Sequence, residues 1–365
     1  EPPQILRTKL QLPIKTLMSP GPTNCSKRVL QSLQNQILGH LHPEFCMLMD
    51  EIKEGLQYIF QTNNRLTLAL SASGHGGMEA CLTNLLEPGE TVLIVKSGIW
   101  SERAACMANR LGANVKLLET DYTKGITLKE LEIALEQHRP VVVFMVHAES
   151  STGVKQPLED FGVLIHKYNA LLIVDVVASL CGEPFFMDSW DIDAAYAGSQ
   201  KAIGAPPGLA PISFSPRAEN EDRVYHHTMS ATLLYGLREA LAEIAEEGLQ
   251  ALWNRHAAAA VRLRKGLELR GLQSYVKIPQ YQLSTVISVQ LPPGVVDKVV
   301  IQRAMEKYKV EISRGLGPTV GKFLRIGLLR VNATPEKVDL VLRGLDEGLK
   351  RFETDYLNSN TNLNH

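Results

Sequence analysis

Two residues of this chain could do chemistry together. Asp175 closes the apolar run Ala170–Val174, and Lys201 follows the turn Gly198-Ser199-Gln200, 201 − 175 = 26 residues further on. The run is short for a helix and rich in branched side chains, which predicts a strand buried on both faces. A carboxylate ending such a strand lies at the carboxyl edge of an open α/β sheet, where ligands bind. The apolar segment Asp193–Ala197 predicts a neighbouring strand that delivers Lys201 to the same crevice. An amine there can capture a carbonyl carbon, and a buried carboxylate can hold a protonated ring nitrogen, a pairing suited to pyridoxal phosphate (PLP). Singly, each residue is commonplace: strand-end aspartates cap turns and loop lysines are solvated.

The rest of such a site would have to come from other loops. Arg65–Ala72 reads as a strand running into Ser73-Gly74-His75-Gly76-Gly77, with a helix expected over Met78–Leu86. Strand, glycine-rich turn and helix gather backbone N–H groups that can cradle a phosphate. A plain tight turn reads the same way, and neither a Walker lysine nor GxGxxG is present. Trp100 follows the strand Thr91–Val95 and offers a flat face for a pyridine ring, although a tryptophan there is more often core. Arg325 lies in the apolar segment Phe323–Leu328, a setting that demands a partner, and its planar fork suits a carboxylate.

The elements that must position these residues alternate. Helices are expected over Ser101–Leu111, Thr127–Gln137 and Leu158–Tyr168, and strands over Val115–Leu118, Val141–Val146, Ala170–Val174 and Ala210–Phe214. This rhythm predicts an α/β fold with a mainly parallel sheet. Beyond a long helical region from Ala231 to about Gly271, punctuated by Gly248, an α+β pattern predicts a smaller C-terminal domain. The expected division is an extended arm over residues 1–17 packing on another surface, a large domain over 18–247 and a small domain over 248–365.

Composition narrows the function class. The chain has 365 residues, 45% hydrophobic and 21% charged, with a net charge of −1, so it can bury a sizeable core. Lys and Arg are dispersed, which argues against nucleic acid or an anionic membrane as partner. No apolar run has membrane-spanning length. The five cysteines are scattered and none forms CxxC, so no disulfide framework or metal site is expected and a reducing compartment is favoured.

The segments Ser71–Ala80 (SASGHGGMEA), His147–Gly153 (HAESSTG), Leu172–Ser179 (LIVDVVAS), Gly198–Gly208 (GSQKAIGAPPG), Tyr225–Thr228 (YHHT) and Leu324–Thr334 (LRIGLLRVNAT) occur in the order of a known family. From about Met18 to Phe352 the chain resembles the class V, fold-type I PLP aminotransferases, and is most similar to the alanine–glyoxylate and serine–pyruvate branch. The resemblance implies that Lys201 forms the Schiff base with PLP, Asp175 pairs with the ring nitrogen and Trp100 stacks on the ring. It implies phosphate contacts from Ser73, Gly74, His75 and Gln200, and a contact from Ser150 near the ring hydroxyl. Tyr225 and Thr228 would reach the phosphate of the other subunit, making the site a property of a homodimer. Arg325 would bind the substrate carboxylate, with Gly21 and Asn24 as further candidate substrate contacts.

The implied reaction is a two-step transamination of alanine (or serine) with glyoxylate. The alternatives are a 3-hydroxykynurenine or kynurenine transaminase, a lyase or cysteine desulfurase, and a PLP-fold protein without activity. A desulfurase needs a reactive loop cysteine, and Cys181, the nearest candidate, lies in an apolar context. A peroxisomal location is expected from the family, with cytosol or mitochondrion as alternatives; the C-terminus is not Ser-Lys-Leu. One departure stands out. The family carries a longer aromatic-rich segment before YHHT, whereas Ser215–Val224 alone separates Phe214 from Tyr225. This is either a true deletion or an omitted mobile loop, and the mobility of loops over active sites favours the second.

Overall fold

A computed structural model describes residues 3–218 and 229–361. After the arm, β1 (Thr16–Leu17), α1 (Lys27–Ser32) and α2 (Pro43–Phe60) precede the alternating elements β2 (Leu66–Leu70), α3 (Gly74–Leu85), β3 (Thr91–Lys96), α4 (Ile99–Arg110), β4 (Asn114–Glu119), α5 (Leu128–His138) and β5 (Val142–Val146). A small hairpin, β6 (Ala148–Glu149) and β7 (Val154–Lys155), follows, then α6 (Phe161–Lys167), β8 (Leu171–Asp175), β9 (Ala194–Tyr196) and β10 (Ala210–Phe214). The local signals match: Pro43 opens α2, and Thr127 and Glu130 bond reciprocally as a capping box at the start of α5.

Seven strands make the main sheet, in the order β2-β10-β9-β8-β5-β3-β4. The β3–β4, β3–β5, β5–β8 and β8–β9 pairs are parallel, while β10 runs against both β2 and β9. Successive residues alternate between two cores. Val143, Met145, Leu172 and Val174 face one, with α2, α5, α6 and α7 (Ala231–Glu247), whereas Val142, Phe144 and Ile173 face the other, with α3 and α4. Both faces are covered, as a mainly parallel sheet requires.

The expected start of α3 at Met78 is too late, because the helix begins at Gly74 and includes the glycines. Their purpose is close packing. A Cβ at Gly77 would lie 3.1 Å from the Cβ of Tyr196 and 3.3 Å from that of Ala210. The first turn of α3 is thereby pressed onto β9 and β10, beside the strand end that leads to Lys201.

A four-stranded antiparallel sheet forms from β11 (Gln273–Ser274), β12 (Val286–Gln290), β14 (Ser313–Arg314) and β15 (Phe323–Gly327), in the order β11-β12-β15-β14. It packs with α9 (Asp297–Tyr308), α10 (Pro335–Thr361) and the second half of α8 (Leu249–Glu268). Gly248, with φ of 81°, separates α7 from α8 as expected, but α8 serves both cores: Leu249, Leu252 and Trp253 in the large one, Ala259, Leu263 and Leu267 in the small one. The arm boundary at residue 17 also shifts. β1 pairs in parallel with β13 (Val310–Glu311), and Met18 is buried in the small core, so residues 16–18 dock on the C-terminal unit of their own chain. Before them Leu10, Leu12 and Ile14 remain exposed.

This docking leaves no room at Gly327. Its N–H donates to the Met18 carbonyl at 2.7 Å, and a Cβ there would lie 2.0 Å from the Ser19 oxygen. Gly327→Ala is expected to cost about 1–3 kcal/mol through overpacking against backbone, seen as a lower calorimetric unfolding midpoint and faster proteolysis within residues 3–24.

Candidate active site

The carboxyl ends of β8, β5 and β3 and the N-terminus of α3 surround a cavity of about 120 Å³. Among its lining residues are Ser73, Gly74, His75, Trp100, Ser150, Asp175, Gln200 and Lys201, so the structure brings together eight of the residues expected to meet a cofactor. Tyr225 and Thr228 lie outside the described residues.

Asp175 ends β8 and is buried. Its Oδ1 accepts from the Val177 N–H at 2.8 Å and its Oδ2 from the Tyr196 hydroxyl at 2.6 Å. Tyr196 is its register partner on β9 and is fully buried. Burial pushes the Asp175 carboxyl up to about 6, against the pull of those two bonds and of the Lys201 charge. Burial and the Arg325 charge lower the Lys201 amine to about 8, with Asp175 opposing. Its Nζ donates to the Pro20 carbonyl at 2.5 Å. Gly21, with φ of 116°, lies against the same side chain: a Cβ there would come within 2.5 Å of Nζ. Glycine is needed at position 21 both for its backbone angle and for the space the lysine occupies.

At the opposite wall Ser73 precedes α3 and its hydroxyl caps nothing in the helix. The first-turn amides of α3 and the helix dipole make this end of the cavity receptive to an anion. The His75 ring meets Trp100 edge to face at 5.6 Å, and Arg103 lies 5.8 Å from the centre of the Trp100 ring. Trp100 is oriented by its indole N–H, which donates to Ser150 Oγ at 2.7 Å. Gln200 keeps a buried amide oxygen without a hydrogen-bond partner.

Arg325, on β15, is half-buried and does not itself line the cavity. Its Nε donates to the Arg314 carbonyl at 2.8 Å and Nη1 to the Ser150 carbonyl at 3.0 Å, which ties it to the loop that orients Trp100. Its two named partners are neutral oxygens, and burial lowers its pKa to about 10. Asn24 departs from expectation. Its Oδ1 accepts from Leu17 N–H and Asn332 Nδ2 at 2.8 and 3.0 Å, and its Nδ2 donates to the Lys15 carbonyl at 3.0 Å. With its oxygen and one N–H engaged in this way, Asn24 anchors β1.

Two residues escaped the sequence reading. Tyr196 carried a usable signal, since a tyrosine inside a buried strand needs a partner for its hydroxyl. Glu149, buried at the end of β6, was legible only within the segment HAESSTG. No cysteine lines the cavity. Cys181 is buried with its thiol pushed up to about 12, and the thiol of buried Cys81 is also raised, so neither is a nucleophile at neutral pH.

Residues 16–223 match the model for aminotransferase class-V. The chain belongs to the class-V aminotransferases. Alanine–glyoxylate aminotransferase of Drosophila melanogaster is 47% identical, with 96% of each chain covered. The protein of that name from Felis catus is 45% identical over 98% of this chain and 92% of its own. The crystal structure of alanine–glyoxylate aminotransferase from Nostoc sp. superposes with a TM-score of 0.91 at 40% identity, covering 94% of this chain and 98% of that one. The fold is therefore that of the fold-type I aminotransferases, and the cofactor is pyridoxal phosphate. The residues present fit it. A buried carboxylate held only by neutral donors suits a protonated ring nitrogen, a helix start with an unused serine hydroxyl suits a phosphate, and Gln200 has an orphaned buried oxygen.

Two outcomes follow. In the cofactor-free protein, reductive methylation of Lys201 is expected to rise through about pH 8 rather than 10.5, read by mass spectrometry across a pH series. Tyr196→Phe removes a bond that favours the ionised Asp175, so its carboxyl rises further and cofactor affinity falls about tenfold, the loss expected for one hydrogen bond to a charged group, measured by fluorescence titration of the cofactor-free protein.

Proposed function

We propose that the enzyme transaminates alanine, or serine, with glyoxylate, releasing pyruvate or hydroxypyruvate and glycine. The observation that carries this reading is that relatives 44–47% identical over 96–98% of this chain bear the alanine–glyoxylate name. Relatives at 31% identity are named for other donors, (S)-ureidoglycine and serine, with the same glyoxylate acceptor. The acceptor thus has broader support than the donor. The desulfurase alternative has fold likeness alone, at 14% identity, and lacks a cysteine at the cavity.

Pyridoxal phosphate, when bound, supplies a carbonyl carbon that takes over the amino group and a ring that accepts the electron pair freed at Cα. Asp175 would hold the ring nitrogen protonated, keeping the ring an electron acceptor. Ser73, Gly74, His75 and Gln200 would hold the phosphate, and Trp100 would lie along the ring. The Lys201 amine, with a pKa near 8, is poised to take the Cα proton and return it. Among the described residues the Arg325 guanidinium donates to two carbonyl oxygens, and it would pair with the substrate carboxylate, common to amino and oxo acid.

A second copy of the chain would complete the site, with Tyr225 and Thr228 reaching the phosphate of the partner site. Two measurements test it. Purified enzyme should convert alanine and glyoxylate with ping-pong kinetics and carry a visible absorption band that Lys201→Ala abolishes; efficient turnover of kynurenines with none of alanine would overturn the assignment. Mixed Lys201→Ala and Tyr225→Phe subunits should regain activity neither has alone, because some hybrid sites are then wild type; no regain would place Tyr225 in its own subunit's site.

A further inference from the structure

Glu149 has no role in the reaction as described, yet it is fully buried within the site's framework. Its Oε2 accepts from the Trp100 N–H at 3.3 Å, and its Oε1 accepts from the Ser151 N–H and hydroxyl at 2.9 and 2.7 Å. Ser151 Oγ accepts in turn from the Ile99 N–H at 3.3 Å. The first two amides of α4 therefore end on the turn at residues 149–151, and the carboxylate caps the helix from another segment. Gly98 permits the approach: a Cβ there would lie 2.5 Å from Glu149 Cδ and 2.6 Å from Ser151 Oγ. The same turn presents Ser150, whose hydroxyl receives the Trp100 indole N–H and whose carbonyl receives Arg325 Nη1. Burial pushes the Glu149 carboxyl up to about 7, against its bonds from Ser151 and the Trp100 amide, and in its ionised form it adds negative charge toward Arg325.

We propose that Glu149 is a positioning residue that fixes Trp100 and Arg325 relative to one another, so that the cofactor platform and the substrate anchor hang from one buried carboxylate. The proposal rests on the roles given above to Trp100 and Arg325. A neutral cap could close the helix, but an amide here would turn one N–H₂ toward a donor and withdraw the charge from Arg325.

In Glu149→Gln holoenzyme, KM for both amino acid and oxo acid should rise about tenfold with a smaller change in kcat, the size of one charge-assisted bond. The visible circular dichroism of the bound cofactor should shift, cofactor affinity measured by quenching of tryptophan fluorescence should weaken, and Glu149→Asp should recover part of each change. Ser151→Ala, which removes one donor from the carboxylate, should move the same readouts less, and it decides the matter if Glu149→Gln does not fold. A lower unfolding midpoint with wild-type KM, dichroism and cofactor affinity would overturn the proposal. Arg325→Lys separates the two readings. If it raises KM while the Glu149 and Ser151 variants do not, only the positioning role fails; if it leaves KM unchanged, the carboxylate-anchor reading fails.

Discussion

A carboxylate buried at the end of a parallel strand is the constraint on which the rest of this site depends. Asp175 is costly to place there: burial alone drives it toward the neutral acid. The structure offsets this with the Tyr196 hydroxyl and the Val177 amide, both aimed at the carboxylate from fixed backbone positions. Neither donor carries charge. The carboxylate is oriented yet left electrostatically incomplete, the condition under which a cationic ring nitrogen is bound rather than tolerated. The parallel pairing of β8 with β9 sets Tyr196 beside Asp175, and the same strand then leads to Lys201.

Close approach of backbones supports this arrangement from three sides. Gly77 lets α3 press onto β9, Gly98 lets the turn after β5 reach α4, and Gly327 lets β15 take the chain around Met18 and Ser19. A Cβ would clash at Gly98 and Gly327 and would crowd Tyr196 and Ala210 at Gly77, and each neighbour belongs to the site or to a segment beside it. The small unit also contributes more than a cover. It brings Arg325 to the Ser150 carbonyl, so the proposed cofactor and substrate contacts would meet across the boundary between the two cores.

Much of this was legible in the sequence because the informative residues are local. The run ending at Asp175, the glycine-rich turn at 73–77 and the lysine after β9 each declare themselves within a few positions, and strand-helix alternation orders them at one sheet edge. Contacts between distant segments were not legible. The pairing of β1 with β13 joins residues almost three hundred positions apart through backbone bonds that no side-chain pattern specifies. The anchoring role of Asn24 was hidden for the same reason: its partners, Lys15, Leu17 and Asn332, are identified only by the fold. Glu149 received no reading of its own, since nothing in HAESSTG reveals that its carboxylate is buried.

The charges at the site are coupled in a way that bears on the order of events. Lys201 is held near 8 by burial and by Arg325, with Asp175 acting against both. A substrate carboxylate paired with Arg325 would cancel much of that cation's field, because opposite charges in contact within a poorly solvated site screen each other strongly. The push on Lys201 would then weaken and its affinity for a proton would rise. Once displaced by an incoming amino group, the free Lys201 amine would be a stronger base with the carboxylate seated than without it. On the proposed role, Arg325 would have two effects from one position: it would select for the carboxylate, and its neutralisation would raise the basicity of the lysine.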